Sequence, residues 1–225
     1  MTQLRALADN IWTVSSNHTM LGIHLGSRMT VVRLSGGRLW LHSPIALSPQ
    51  LRAELDALGQ VAHIVCPNMF HHVYAGEAGA AYPQAKLHGP QGLRRKRKDL
   101  TFTGELTDLP DPGWASDLAQ VSVRGCLLAE TVFFHGASGT LISADLVENF
   151  KTSAHWPTRL YLTLTGLHGK TTWSPLLRLL YRDRLRARAC VERILAWPIE
   201  RVVLAHGDLL LSDARARLAK GLAWL

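Results

Sequence analysis

Cysteine is scarce: three residues in 225, at positions 66, 126 and 190. So few, so widely spaced, exclude a disulfide framework and a C-x-x-C zinc site. Free thiols fit a reducing compartment, and a cytoplasmic location is the expectation. No apolar run approaches the roughly 20 residues that a membrane helix needs. The opening segment Met1–Trp12 carries one Arg and no long apolar stretch behind it, so neither a span nor a secretory signal is expected. G-x-S-x-G, the P-loop and G-x-G-x-x-G are all missing, which leaves serine-hydrolase and nucleotide-fold readings without support. Glycine and proline are not in excess and no repeat of solenoid length is present, which excludes fibres and arrays.

What remains is globular. Hydrophobic residues make up 47% of the chain, and the length suits one sizeable core, hence a single domain over 1–225. Lys and Arg number 25 against 17 Asp and Glu, a net charge of +8. Much of the excess lies in Arg94-Arg95-Lys96-Arg97-Lys98 and in 178–193. Such runs read first as solvated faces. Beyond that they attract polyanions without specificity, so an anionic small molecule is a candidate ligand and nucleic acid a weaker one.

The pattern of elements is α/β. Ile11–Val14, Met29–Leu34 and Leu39–His42 read as strands, the last two joined at Gly36-Gly37 as a hairpin. Ser48-Pro49 opens a helix with Leu51, Leu55 and Leu58 on one face, closed by Gly59. A strand over 61–66 runs into the loop Pro67-Asn68-Met69-Phe70-His71-His72, then a helix over 73–81 and a short strand over 85–88. Strands follow at 120–123, 130–134 and 140–144. Residues 151–185, rich in Trp, Leu, Tyr and Arg with Pro157 and Pro175 as helix starts, read as a helical insertion over a cleft. The tail reads as helix 187–197, strand 201–205, and a last helix from Ser212-Asp213. Strands alternating with helices imply a partly parallel sheet, whose ligands bind beyond the C-terminal strand ends.

Three strand ends carry metal-capable groups. His71 and His72 follow the 61–66 strand, Asp145 follows 140–144, and His206 follows 201–205. Imidazole nitrogen and carboxylate oxygen suit zinc or non-haem iron, and three or four of them with an open position make a catalytic site. A single histidine is more often a packed residue. The adjacent pair in a tight loop is the stronger signal, because there both rings can face one point.

With these residues in place, the chain resembles the metallo-β-lactamase superfamily along nearly its whole length. The family's T-H-x-H-x-D-H falls on Cys66–His72, with its Asp on His71 and its last His on His72, but its first two His on Pro67 and Met69. Its P-G-H falls on Arg124-Gly125-Cys126, its G-D on Ala144-Asp145, its G-H-G on Ala205-His206-Gly207, and its early D-T-G on His42-Ser43-Pro44. MTVVRLSGGRLWLHSPIAL, GLRRKRKDL and TVFFHGASGTLISADL resemble, more closely, a metallo-β-lactamase-like group named DUF4336. The resemblance implies an αββα sandwich with the 151–185 insertion. It also implies that one of the family's two metal positions is lost through Pro67, Met69 and Cys126. The other survives on His71, His72, Asp145 and His206, with one divalent ion, zinc or iron.

His42 is expected to orient a ligand. Cys126 is either a thiolate ligand or an inert buried thiol, and His135 faces either the cleft or the edge of its hairpin. Asp208 bonds a ligand His, caps the last helix, or shares with Asp145 the work of moving a proton. The implied activity is metal-dependent hydrolysis of an ester, lactone, thioester or phosphoester. The alternatives are a non-haem iron oxidoreductase and a non-catalytic binding protein on the same fold.

Overall fold

A computed structural model describes residues 3–225. Its larger sheet has seven strands in chain order: Arg5–Ala8, Ile11–Ser16, Ser27–Arg33, Leu39–His42, Val61–Val65, Lys86–Gly89 and Gly104–Glu105. The first three junctions are antiparallel and the last three parallel. The second sheet orders Leu118–Ser122, Thr131–His135, Thr140–Ile142 and Arg201–Val203, with the last pair parallel.

Period-two alternation assigns neighbouring residues to different cores. Val31, Leu39, Leu41 and Ile64 pack outward against Leu51, Leu55, Ala75 and Ala78 of the helices Pro49–Leu58 and Ala75–Ala81. Val32, Trp40 and Val65 point the other way and meet Phe133, Ile142 and Leu118 of the second sheet. Phe134, Leu141 and Val202 face the helices Arg184–Leu195 and Ala214–Leu222 on the far side. The layers therefore run helix, sheet, sheet, helix, and both sheets are buried on two faces. Each fully buried large apolar side chain contributes about 1.5–3 kcal/mol.

Local chemistry explains the boundaries. The Ser48 hydroxyl accepts the Leu51 N–H at 3.1 Å and Pro49 occupies the first turn, as the sequence predicts. Asp183 caps Arg184–Leu195 by accepting from the Arg186 N–H, so this helix starts earlier than expected from Ala187. The 151–185 segment is less helical than expected. It holds one helix, Trp156–Leu164, then a strand, Lys170–Thr172, paired with Glu148–Phe150, and a 3-10 turn at Leu177–Leu180. Gly166 and Gly169 interrupt the helical run, and Thr171-Thr172 is β-branched. Pro175 opens no α-helix. The chain also forms a small hairpin, Thr19–Met20 with Ile23–His24, and a short helix, Gln91–Lys96, that sequence patterning does not signal. Among the described residues no helix is long and apolar enough to cross a membrane.

Candidate metal centre

The loop 66–72 leaves the larger sheet, whereas those bearing Asp145 and His206 leave adjacent parallel strands of the second. Convergence therefore occurs at the rim between two stacked sheets rather than along one. His71 Nε2 lies 3.1 Å from Asp145 Oδ2, and His206 Nε2 lies 3.7 Å from Asp145 Oδ1. One ligand atom from each of the three falls within 4.8 Å of the others. Donors around a tetrahedral zinc at 2.0–2.1 Å stand roughly 3.3 Å apart, so small closures bring these three to bonding distance.

Each member is oriented from behind. His206 Nδ1 donates to the Gly26 carbonyl at 2.6 Å, which leaves Nε2 bare and facing Asp145. His71 Nδ1 bonds Ser43 Oγ at 2.7 Å. A hydroxyl both donates and accepts, so that partner is kept in either tautomer, including the one that frees Nε2. Ser43 is a buried non-glycine residue with φ +56°, a left-handed conformation held against its steric cost. Asn68 binds the arrangement together. Its Nδ2 donates to Asp145 Oδ2 at 2.8 Å, and its Oδ1 accepts the backbone N–H groups of Phe70 and His71. Buried Glu130 accepts from the Ser143 hydroxyl and from the Ala144 and Asp145 N–H groups, which fixes the loop before the aspartate.

Electrostatics follow from this geometry. Burial opposes ionisation of Asp145, but His71, His206 and the Asn68 amide outweigh it and hold the carboxyl far below its ordinary range. Its neighbour Glu130 is pushed up, by burial first and by the Asp145 charge second. Burial alone disfavours protonated His71, yet Asp145 and then Glu130 reverse the balance and raise it. For His206 burial wins, and the ring is held neutral, the form that ligates metal.

The other candidates occupy different places. His72 lines the same mouth as His71 and His206 but is not one of the converging three. Arg97 Nη1 donates to its Nδ1 and to its carbonyl, both at 3.0 Å. Cys126 is half-buried, its thiol pushed up to about 11, chiefly by burial, and it is not one of the converging three. His135 bonds Ser138 at 2.8 Å within its own hairpin, the edge alternative. His42 packs between Trp40 and Phe133 in the inter-sheet core, and its Nε2 has no partner among the described residues. The orienting bond comes instead from the next residue, Ser43, because the strand ends at His42 and the turn redirects the following side chain. Asp208 neither bonds a histidine nor caps the last helix. Its Oδ2 accepts the Lys151 N–H at 2.9 Å, and the helix begins after Asp213. Pro67, Met69 and Cys126 lie in segments bonded to each other, through Met69 N–H to Leu128 and Thr131 N–H to Pro67.

Sequence reasoning missed Ser43, Asn68 and Glu130 as site residues. Asn68 stands in the middle of the loop that patterning singled out, and Ser43 directly follows a strand in the D-T-G position.

This architecture is that of the metallo-β-lactamase fold. A metallo-β-lactamase from Pontibacter korlensis superposes with a TM-score of 0.69 at 12% identity, covering 99% of both chains. The metallo-β-lactamase FIM-1 from Pseudomonas aeruginosa, in its mono-zinc form, gives 0.66 at 13% identity over 99% of this chain and 95% of that one. A metal-soaked flavodiiron core from Synechocystis gives 0.68 at 12% identity over 99% of this chain and 60% of that one. Residues 8–92 match the family model described as "Domain of unknown function (DUF4336)". No curated protein matches the sequence.

Proposed function

We propose that the chain is a metal-dependent hydrolase with one divalent ion, zinc or iron, held by His71, Asp145 and His206. The observation that carries this reading is the pair of committed Nδ1 atoms. Ser43 on one ring and the Gly26 carbonyl on the other turn both Nε2 atoms toward an ionised aspartate. Metal-binding histidines characteristically have their second nitrogen engaged in this way. When bound, a divalent ion supplies Lewis acidity toward a carbonyl or phosphoryl oxygen and acidifies water. Three protein ligands leave a position open to the mouth, where His18, Phe70 and Tyr74 line the approach.

His72 takes a different role from that of fourth ligand. Arg97 donates to its Nδ1, so the ring carries its proton at Nε2. That N–H is a donor for a substrate oxygen as negative charge develops, with the Arg97 guanidinium behind it. Asp145, shared between His71 and Asn68, serves as a ligand rather than a proton carrier. The substrate class is an ester, lactone, thioester or phosphoester, an anionic one favoured by the cations at 94–98. Non-haem iron oxidation is the second reading, supported by the likeness to the flavodiiron core and by a donor set that suits iron equally.

Metal-reconstituted protein assayed against chromogenic esters, lactones, thioesters and phosphodiesters tests the proposal. Turnover of one class that disappears in His206→Ala supports it. Oxygen uptake by the iron form without hydrolysis selects the second reading. Neither activity in protein that retains its metal leaves a binding protein and overturns both.

A further inference from the structure

The helix Trp156–Leu164 buries one side and leaves the other bare. Thr158 and Leu162 face inward, Leu162 packing with Phe150, Leu167 and Leu25. On the opposite side Trp156, Leu160 and Leu164 are 66%, 50% and 78% exposed, spaced four residues apart as a continuous ridge. The 19–24 hairpin is fastened beside this helix. His24 stacks on His155 with ring centroids 3.7 Å apart, and the His24 N–H donates to Thr158 Oγ1. Its tip carries Met20 and Leu21, the latter 96% exposed at a left-handed turn position. Five large apolar side chains thus stand in water on two adjoining elements, beyond what scattered exposure explains.

Within these two segments the charge has one sign. No Asp or Glu occurs between Asp9 and Glu54, or between Glu148 and Asp183, the stretches that contain the hairpin and the helix. Lys151, Arg159 and Lys170, on or next to the helix, are exposed. An apolar ridge with Trp and Leu, flanked by cations and with Asp208 beside Lys151 as a neighbouring acid, has the composition of a segment that lies in a membrane interface. We propose that this face docks on an anionic lipid surface. Leu21, Leu160 and Leu164 enter the headgroup boundary, Trp156 stays at headgroup depth, and Lys151, Arg159 and Lys170 meet the lipid phosphates. A second copy is a poor occupant because it brings the same cations against these. A nucleic acid is poorer still, since of the five side chains only Trp156 offers a stacking surface. His18, at the base of the hairpin, lines the mouth of the candidate metal centre, so docking here sets that mouth beside the lipid.

The test is co-sedimentation with vesicles of equimolar phosphatidylcholine and phosphatidylglycerol, beside pure phosphatidylcholine, independent of any catalytic assay. Wild-type protein sediments with the anionic vesicles and remains in solution with the neutral ones. The combined variant Trp156→Ser, Leu160→Ser, Leu164→Ser partitions at least about tenfold less. A hairpin variant, Met20→Ser with Leu21→Ser, weakens partition independently, with circular dichroism checking the fold of both. Absence of wild-type sedimentation, or sedimentation that both serine variants retain, overturns the proposal. So does a dimer that the helix variant dissociates while the wild type ignores vesicles.

Discussion

Ser43 accepts a left-handed backbone in order to place one hydroxyl against His71. A residue that occupies such a region persists where the surroundings enforce it, and the beneficiary here is the ring that we propose as a metal ligand. Removing the hydroxyl leaves the fold intact and frees the imidazole to rotate. Ser43→Ala is therefore expected to weaken zinc affinity by about 10–100-fold, the range for outer partners of ligating histidines, with little change in melting temperature. Competition with a chromogenic chelator measures the first and thermal denaturation the second. An unchanged affinity removes Ser43 from the account. Asn68 acts at the same scale but on two partners at once, Asp145 by its amide nitrogen and the 70–71 backbone by its oxygen.

Among the elements, the 204–208 turn depends most on a distant residue. Arg28, on the Ser27–Arg33 strand, donates to the Leu204 and Gly207 carbonyls and so clamps the backbone on both sides of His206. Gly207 has φ +67°, and a Cβ there would collide with the Asn149 carbonyl oxygen, so only glycine lets the turn pass this close. Arg28→Met keeps the aliphatic stem and removes the clamp. It is expected to speed amide hydrogen exchange at 204–208 and to lower metal affinity about tenfold, with the second sheet unaffected. Exchange confined to wild-type rates contradicts the clamp. The elements themselves were readable where period and punctuation agree. Gly37 turns the hairpin, Ser48-Pro49 opens a helix, and Asp145 and His206 follow their strands. The hairpin at 19–24 was not readable, because two-residue strands carry no period. Nor was the partnership of Arg28 with residues 176 and 179 positions away, since nothing local marks it. His71 was legible as a metal-capable loop residue. That His72 turns to Arg97 instead depends on a helix whose basic run reads as a solvated face.

For the molecule as a whole, stability and function meet at the buried acids. Glu148 is 7% exposed, its Oε2 has no partner among the described residues, and burial followed by the Asp145 charge raises it from the ordinary value of 4.5 to about 8. The folded state thus holds a proton that the unfolded chain releases. Stability from this group is complete below about pH 4.5 and is lost as pH rises toward 8, by an order of a few kcal/mol. Urea midpoints measured across that window should fall with rising pH, and Glu148→Gln should flatten the slope; a slope that survives the substitution assigns it to another group. We propose that the rim between the sheets serves one metal cluster; the segments bearing Pro67, Met69 and Cys126 are joined to each other by backbone hydrogen bonds. The most direct test of that view is elemental analysis of protein purified without a histidine tag, beside His71→Ala with His206→Ala. The account predicts about one zinc or iron per chain, absent from the double variant. No metal in the wild type after reconstitution, or the same content in the variant, contradicts it.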